Sequence, residues 1–189
     1  GKLMDLIMLD TRLYDRDVQD AALSNDPNHH MMGPVQRTWY FQQLADTSTR
    51  WKIIGNQVMF APMKLFGQAV NKDQWDTYEY ERNLIINQVL TNNYKNMVLL
   101  TGDIHTSWCN DVPGPGYNDQ TGAGSVCVEF VGPSVTSLNF PIPVGQGIIK
   151  AANKHEKYVN LDDHGYYIVD VKKGKVQADY KYNTVEQLH

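Results

Sequence analysis

The chain has 189 residues, of which 42% are hydrophobic and 20% are charged, and its formal net charge is −4 at pH 7. This composition is typical of a globular protein, and the length fits one domain or a large part of one. The negative net charge and the lack of any Lys/Arg run longer than two residues argue against a nucleic-acid-binding surface. No apolar stretch approaches the roughly 20 residues that a membrane span needs.

Hydrophobic periodicity predicts alternating strands and helices along the chain. The predicted strands are residues 3–10, 51–58, 96–101 and 125–131, and the predicted helices are 35–46, 78–92 and a weak one within 144–155. Asp76 or Thr77 is expected to cap the second helix. Gly165 to Tyr182 alternates apolar and polar residues around Lys173-Gly174, which predicts a β-hairpin. This order predicts an α/β fold with a mixed sheet or two packed sheets.

Two connections stand out between these elements. Residues 59–76 form a predicted loop that is rich in large apolar side chains, so we expect it to fold back over other parts of the protein. Residues 109–123 contain several Pro and Gly residues and are predicted to be turns.

The stretch from Met97 to Trp108 carries the strongest candidate chemistry. An apolar run reaches Gly102, and Asp103 and His105 follow two positions apart. At the carboxyl end of a buried strand, where ligands collect in open α/β sheets, two such residues on an extended backbone project to the same side. A carboxylate with an imidazole suits Fe, Zn or Mn, and the carboxylate also suits Ca or Mg. The alternative is a strand end where Asp103 caps a turn and His105 bonds to the backbone.

Three further candidates lie at or near other strand ends or turns. Asn56, with Gln57 beside it, could bind a cation or a phosphate oxygen, or could simply leave its strand. Arg12 could hold a phosphate through two N–H groups, or could form a salt bridge to Asp10 or Asp15. His164, in a turn with neighbouring carboxylates, is either a metal ligand or an exposed turn residue.

Together these pieces resemble the PhoD-type alkaline phosphatases of the calcineurin-like metallophosphoesterase superfamily. The matching segments, in chain order, are Leu9–Arg12, Trp51–Gln57, Asp73–Asp76 with Tyr78, Glu81 and Arg82, Leu100–Trp108, Glu129–Gly132 with Thr136-Ser137, and His164–Tyr166. The resemblance implies a four-layer sandwich, in which two mixed β-sheets are flanked by helices around a metal centre. It also implies an exported hydrolase of phosphomonoesters and phosphodiesters that uses iron with calcium, with zinc or manganese as alternatives.

The resemblance assigns Asp103 and His105 to two neighbouring metals, His164 to the same centre, and Arg12 and Asn56 to the catalytic site. The superfamily's other ligand motifs are not found in this sequence, and Gly1-Lys2-Leu3 does not resemble a natural start. We therefore expect residues 1–189 to be the C-terminal portion of the catalytic domain, inactive without the N-terminal half. Two other readings stay open: a non-catalytic module of the same fold, and a phospholipase D-like phosphodiesterase.

Overall fold

The computed structural model describes residues 1–183, and it contains a mixed α/β fold that ends in a β-hairpin. In chain order the elements are β1 (Met4–Met8), α1 (Gly33–Ala45), β2 (Trp51–Gly55), β3 (Lys64–Leu65), β4 (Gln68–Ala69), α2 (Glu79–Thr91), β5 (Met97–Thr101), β6 (Ser107–Pro113), β7 (Ser125–Val131), α3 (Gln146–Ala152), β8 (Glu156–Asn160), β9 (His164–Lys172) and β10 (Lys175–Asn183). No helix in this part of the chain is long and apolar enough to cross a membrane.

Six strands form one mixed sheet in the order β1-β2-β5-β7-β6-β8. The first four run parallel, whereas β6 is antiparallel to both of its neighbours. Helices α1 and α2 are the crossovers that parallel neighbours require. As a result, the carboxyl ends of β1, β2 and β5 lie together at one edge of the sheet.

Each face of this sheet is packed against a different layer. Tyr40 and Leu44 of α1 and Ile85 of α2 join Ile54 of β2 in the larger hydrophobic core. The hairpin of β9 and β10 lies against the other face. Trp51 of β2 points away from Ile54, because the two residues are three positions apart on one strand. Its indole N–H donates to the carbonyl group of Lys172 in the hairpin. The hairpin forms a second, two-stranded sheet. The predicted α/β class, the mixed sheet and the terminal hairpin are thus confirmed.

Two strands of the sheet differ from the predictions. β6 begins at Ser107 and runs through residues 109–113, where turns were predicted. The predicted helix within 144–155 is shorter, and β8 follows it unpredicted. Both strands bury polar side chains, Ser107 and Asn110 on β6 and Glu156 on β8. Because these polar residues occupy buried positions, neither strand shows apolar alternation in the sequence.

The prediction for the loop of residues 59–76 is wrong in its middle part, where β3 and β4 form a short antiparallel pair and Phe66 is exposed. The apolar segment 59–64 folds into the interior, as the composition predicted. Its irregular backbone is held by buried side chains. Glu129 accepts the N–H groups of Phe60 and Ala61, at 2.7 and 2.9 Å. The other anchors are Asp76 for Met63 N–H, His155 for the Pro62 carbonyl group and Asn153 for both backbone groups of Lys64.

The predicted cap of α2 is wrong. Asp76 and Thr77 belong to a short 3₁₀ turn before the helix, and Tyr78 occupies the cap position without a side-chain capping bond. Asp76 is used elsewhere, because its carboxylate pairs with Arg82 at 2.7 Å and also accepts the N–H of Met63.

Candidate functional site

The candidate site lies where the parallel strands β1, β2 and β5 end. Arg12, Asn56 and Asp103 each follow one of these strands within a few residues. Ligands of α/β proteins bind at this edge because the loops that leave parallel strands converge there. Arg12, Asn56 and Asp103 are far apart in the sequence, but the fold brings them to the same edge of the sheet.

The turn that carries Arg12 is held from both sides. Asp10 accepts the backbone N–H groups of Arg12 and Leu13, at 3.0 and 2.8 Å. The carboxamide of Gln57 accepts the Thr11 N–H at 2.8 Å and donates to the carbonyl group of Leu9. Gln57 is thus engaged with the chain just after β1, and its contacts fix the segment that presents Arg12.

The guanidinium of Arg12 lies between two carboxylates. Its Nη1 atom is 2.5 Å from Oδ2 of Asp73 and 3.9 Å from Oδ1 of Asp103. The hydrogen bond to Asp73, with smaller contributions from both carboxylates, raises the pKa of Arg12. The salt bridge to Asp10 or Asp15, which the sequence left open, is therefore replaced by a pair with Asp73.

Asp73 joins two further polar side chains to this group. Its Oδ1 atom accepts from Arg16 at 2.6 Å and from Gln19. Arg16 is buried and its guanidinium also lies over the ring of Tyr78. Sequence reasoning did not assign Asp73 or Arg16 to the site, and the only signal available was the position of Asp73 within one of the segments that resemble the family.

Asp103 and His105 do not lie on extended backbone, so that prediction is wrong. β5 ends at Thr101, and both residues have positive φ, 71° and 62°. Left-handed backbone is unfavourable for residues other than glycine, although Asp tolerates it better than most. Non-glycine residues held in this conformation cluster at functional sites. Partial burial raises the pKa of Asp103, and Arg12 opposes that rise.

The hydrogen bonds of two histidines fix which ring nitrogen is free. His105 Nδ1 lies 2.7 Å from the carbonyl oxygen of Leu138, which can only accept, so we assign the proton to Nδ1. His164 Nδ1 lies 3.0 Å from the hydroxyl of Ser134, whose own proton goes to Ser137 O. In both rings Nε2 has no hydrogen-bond partner among residues 1–183, and in this tautomer it carries the lone pair. This is the usual arrangement of a ligating histidine, whose other nitrogen donates to a carbonyl or polar group.

Asn56 is placed differently from the other candidates. It is 4% exposed, and its Nδ2 donates to the carbonyl oxygen of Val58 at 2.5 Å. Its Oδ1 accepts from the indole N–H of Trp75 at 3.3 Å. Asn56 therefore lies at the same edge of the sheet with both amide atoms engaged inside the protein, and its catalytic assignment stays a prediction.

The donor set fits a transition metal but is small. A carboxylate such as that of Asp103 and imidazole nitrogens such as Nε2 of His105 and His164 are the donor types that suit Fe, Zn or Mn. Within residues 1–183, however, no three His, Cys, Asp or Glu side chains lie close enough together to hold a metal ion. A complete metal centre would therefore need ligands beyond those that these residues bring together.

Comparison with known proteins gives a consistent family assignment. A model of the PhoD-like phosphatase family matches residues 1–180. Alkaline phosphatase D of Bacillus subtilis (strain 168) is 30% identical over 200 residues, which cover 96% of this chain and 33% of the relative. A solved structure described as "Structure of PhoD" superposes with a TM-score of 0.81 at 28% identity, covering 95% of this chain and 36% of that one. The chain spans about a third of the length of the relatives it matches.

Proposed function

The chain belongs to the PhoD-like phosphatase family, and from that premise we propose that it supplies part of the active site of a metal-dependent phosphate-ester hydrolase. The observation that supports the proposal most strongly is the pair Asp103 and His105 at the end of β5, with Nε2 of His105 left free and Arg12 beside Asp103. The proposed substrates are phosphomonoesters and phosphodiesters. Export from the cytoplasm stays a prediction that rests on the family resemblance.

In the proposed site, Asp103 and His105 hold metal ions through a carboxylate oxygen and Nε2. When bound, such ions lower the pKa of a water molecule and stabilise the charge that develops on the phosphoryl oxygens. Iron with calcium is the proposed pair, and zinc or manganese are the alternatives. His164 offers Nε2 in the same way, and the loop of residues 134–138 contacts both imidazoles.

Arg12 is proposed to bind a phosphate oxygen of the substrate. Only its Nη1 atom contacts carboxylates in the part of the chain that the structure describes, so its remaining N–H groups can meet an anion. Asp73 keeps the guanidinium at the strand ends, and Arg16 and Gln19 keep Asp73 in place. The further metal ligands are proposed to come from polypeptide outside residues 1–183, because these residues do not assemble three.

This function can be tested with a hybrid protein in which the chain replaces the segment that it matches in the Bacillus subtilis relative. We expect the folded hybrid to hydrolyse p-nitrophenyl phosphate and to lose this activity on chelation. Asp103→Ala and His105→Ala should each lower kcat/KM by at least about 100-fold, because the metal site loses a ligand. The 189-residue chain alone should show no measurable hydrolysis.

The matched control is Asp119→Ala, which removes an acid from an exposed loop, where its carboxylate bonds to Gln120. This variant should keep the activity of the parent hybrid. Full activity in the Asp103 and His105 variants would overturn the proposed roles. Chelator-sensitive hydrolysis by the 189 residues alone would overturn the claim that ligands come from elsewhere.

A further inference from the structure

Glu156 on β8 is a buried carboxyl group without a hydrogen bond. It is 1% exposed, and neither of its oxygens has a hydrogen-bond partner within the described residues. An ionised carboxylate is costly to bury unless it is paired or hydrogen-bonded. Glu156 therefore requires either a donor or the loss of its charge.

Asn110 on β6 lies opposite Glu156 in the strand pairing. It is fully buried, and its Nδ2 donates to Oε2 of Glu129 at 3.3 Å. Its Oδ1 atom has no partner among the described residues. Because Nδ2 is already engaged, Oδ1 is the atom that remains for Glu156. Two neighbouring side chains thus present only acceptors, with no donor between them.

Glu129 on β7 is equally buried but has the opposite surroundings. Its carboxylate accepts from the backbone N–H groups of Phe60 and Ala61, the hydroxyl of Thr101 and the amide of Asn110. Burial raises the pKa of Glu129 as well, but these four donors oppose that rise, and a proton on Glu129 would leave one of them without an acceptor. The two buried glutamates therefore form a natural comparison, one with four donors and one with none.

We propose that Glu156 is protonated in the folded protein at neutral pH and that its O–H donates to Oδ1 of Asn110. This proton removes the buried charge of Glu156, satisfies Oδ1 of Asn110, and joins β8, at the edge of the sheet, to β6 through a buried side-chain hydrogen bond. Ionised Glu156 would instead compete with Glu129 for the amide of Asn110. This inference is independent of the proposed phosphatase function.

The charged groups around Glu156 favour this state on balance. Asp76, from the 3₁₀ turn before α2, opposes a negative charge on Glu156, whereas Lys150 of α3 favours one. Asp76 is itself paired with Arg82. The neighbouring His155 is hydrogen-bonded to the carbonyl group of Pro62, and the charged groups that act on it are Asp76, Arg82 and Asp111. Glu129 lies on the far side of Asn110, to which it is hydrogen-bonded.

A protonated Glu156 makes stability depend on pH in a defined direction. Burial, followed by the charge of Asp76, raises the pKa of Glu156 from 4.5 to about 9. Between these values the folded protein keeps a proton that the unfolded chain has released. The stability therefore falls as the pH rises through this window, with a slope that approaches a tenfold change in the unfolding constant per pH unit.

The test combines a direct measurement with two matched variants of the 189-residue chain. Carbon-13 NMR of glutamate side-chain carboxyl groups should show one protonated glutamate at pH 7, and the signal should be missing in Glu156→Gln. Denaturant unfolding should give a shallower loss of stability from pH 6 to pH 9 in Glu156→Gln than in the parent. Glu129→Gln should unfold more easily at every pH and should keep the steeper slope.

Three results would overturn the proposal. One is an ionised Glu156 at pH 7, whether or not a cation found by metal analysis accompanies it. Another is an unchanged pH slope in Glu156→Gln. Because glutamine has nearly the shape of the protonated side chain and can donate to Asn110, loss of folding in Glu156→Gln would also contradict it.

Discussion

Asp73 is the residue on which the polar side of the candidate site depends. It accepts from Arg12, Arg16 and Gln19, so three side chains from the loop after β1 converge on one carboxylate. Burial acts to raise the pKa of Asp73, but these partners outweigh it and hold the pKa below its ordinary value of 3.8. Asp73 therefore contributes stability only while it is ionised.

We expect Asp73→Asn to lower the free energy of unfolding by about 1 kcal/mol at neutral pH, because partly exposed ion pairs contribute modestly. The contribution of a carboxylate with a lowered pKa is complete above the pKa of the unfolded chain, 3.8, and is lost as the pH falls through the lower folded value. The difference between parent and variant should therefore vanish in strong acid. Urea unfolding of parent and variant at neutral pH and in acid measures this difference in the free energy of unfolding, and Asp119→Asn is the control. A difference that stays constant with pH would contradict this account.

The sequence predicted the positions of Arg12 and Asp103 near strand ends better than it predicted their surroundings. Asp103 and Arg12 could be placed at strand ends because strands leave clear apolar patterns, and the structure brings them to within 3.9 Å. The left-handed backbone at Asp103 and His105 has no comparable pattern. Asp73 and Leu138 could not be linked to the site, because their contacts join loops that are far apart in the chain.

At the scale of elements, helix α2 is tied to α1 through a buried acid in its first turn. Glu81 is fully buried, accepts the N–H groups of Met31 and Met32 at 2.6 and 3.1 Å, and pairs with Arg37 of α1 at 2.6 Å. Glu81 thereby provides an acceptor for the two backbone N–H groups just before α1. Glu79, two residues earlier, is only partly buried and pairs with Lys64.

Because Glu81 is fully buried and Glu79 is only partly buried, the same Glu→Gln substitution should lower the free energy of unfolding by different amounts at the two positions. Glu81→Gln should lower the free energy of unfolding by about 3 kcal/mol, because it removes a fully buried carboxylate that pairs with the partly buried guanidinium of Arg37. Glu79→Gln should cost less than about 1 kcal/mol, as partly exposed pairs do. Guanidinium unfolding of both variants measures the two costs. Equal effects would show that Glu81 does not anchor α1 to α2.

The strands that the sequence predicted carry a continuous or alternating run of apolar residues, even though β7 also buries Glu129. β2, β5 and β7 and the terminal hairpin carry clear patterns, and all of them form. The sequence did not predict β6 and β8, because Asn110 and Glu156 occupy buried positions where a strand pattern would have apolar residues. The same two polar residues form the proposed buried hydrogen bond, so the lack of apolar alternation in β6 and β8 coincides with a pair of buried polar side chains.

At the scale of the whole molecule, the chain combines a well-packed sheet with a set of metal donors that does not reach three within residues 1–183. Two buried hydrophobic clusters fill the described fold, and the match to the family extends from residue 1 to residue 180. The α/β class could be predicted because the first three strands of the sheet alternate with helices in the sequence. The central proposal is a local one: Asp103 and His105 are metal ligands, and His105 uses Nε2.

The most direct measurement of this claim is a zinc titration of the nitrogen-15-labelled hybrid protein, followed through the histidine ring nitrogens. His155 is the internal control, because its Nε2 is engaged by the carbonyl group of Pro62. We predict that His105 carries its proton on Nδ1 before zinc is added, and that zinc shifts its Nε2 signal but not that of His155. Asp103→Ala should weaken this response. A proton on Nε2 of His105, or an Nε2 signal that saturating zinc leaves unchanged in the folded protein, would contradict the claim.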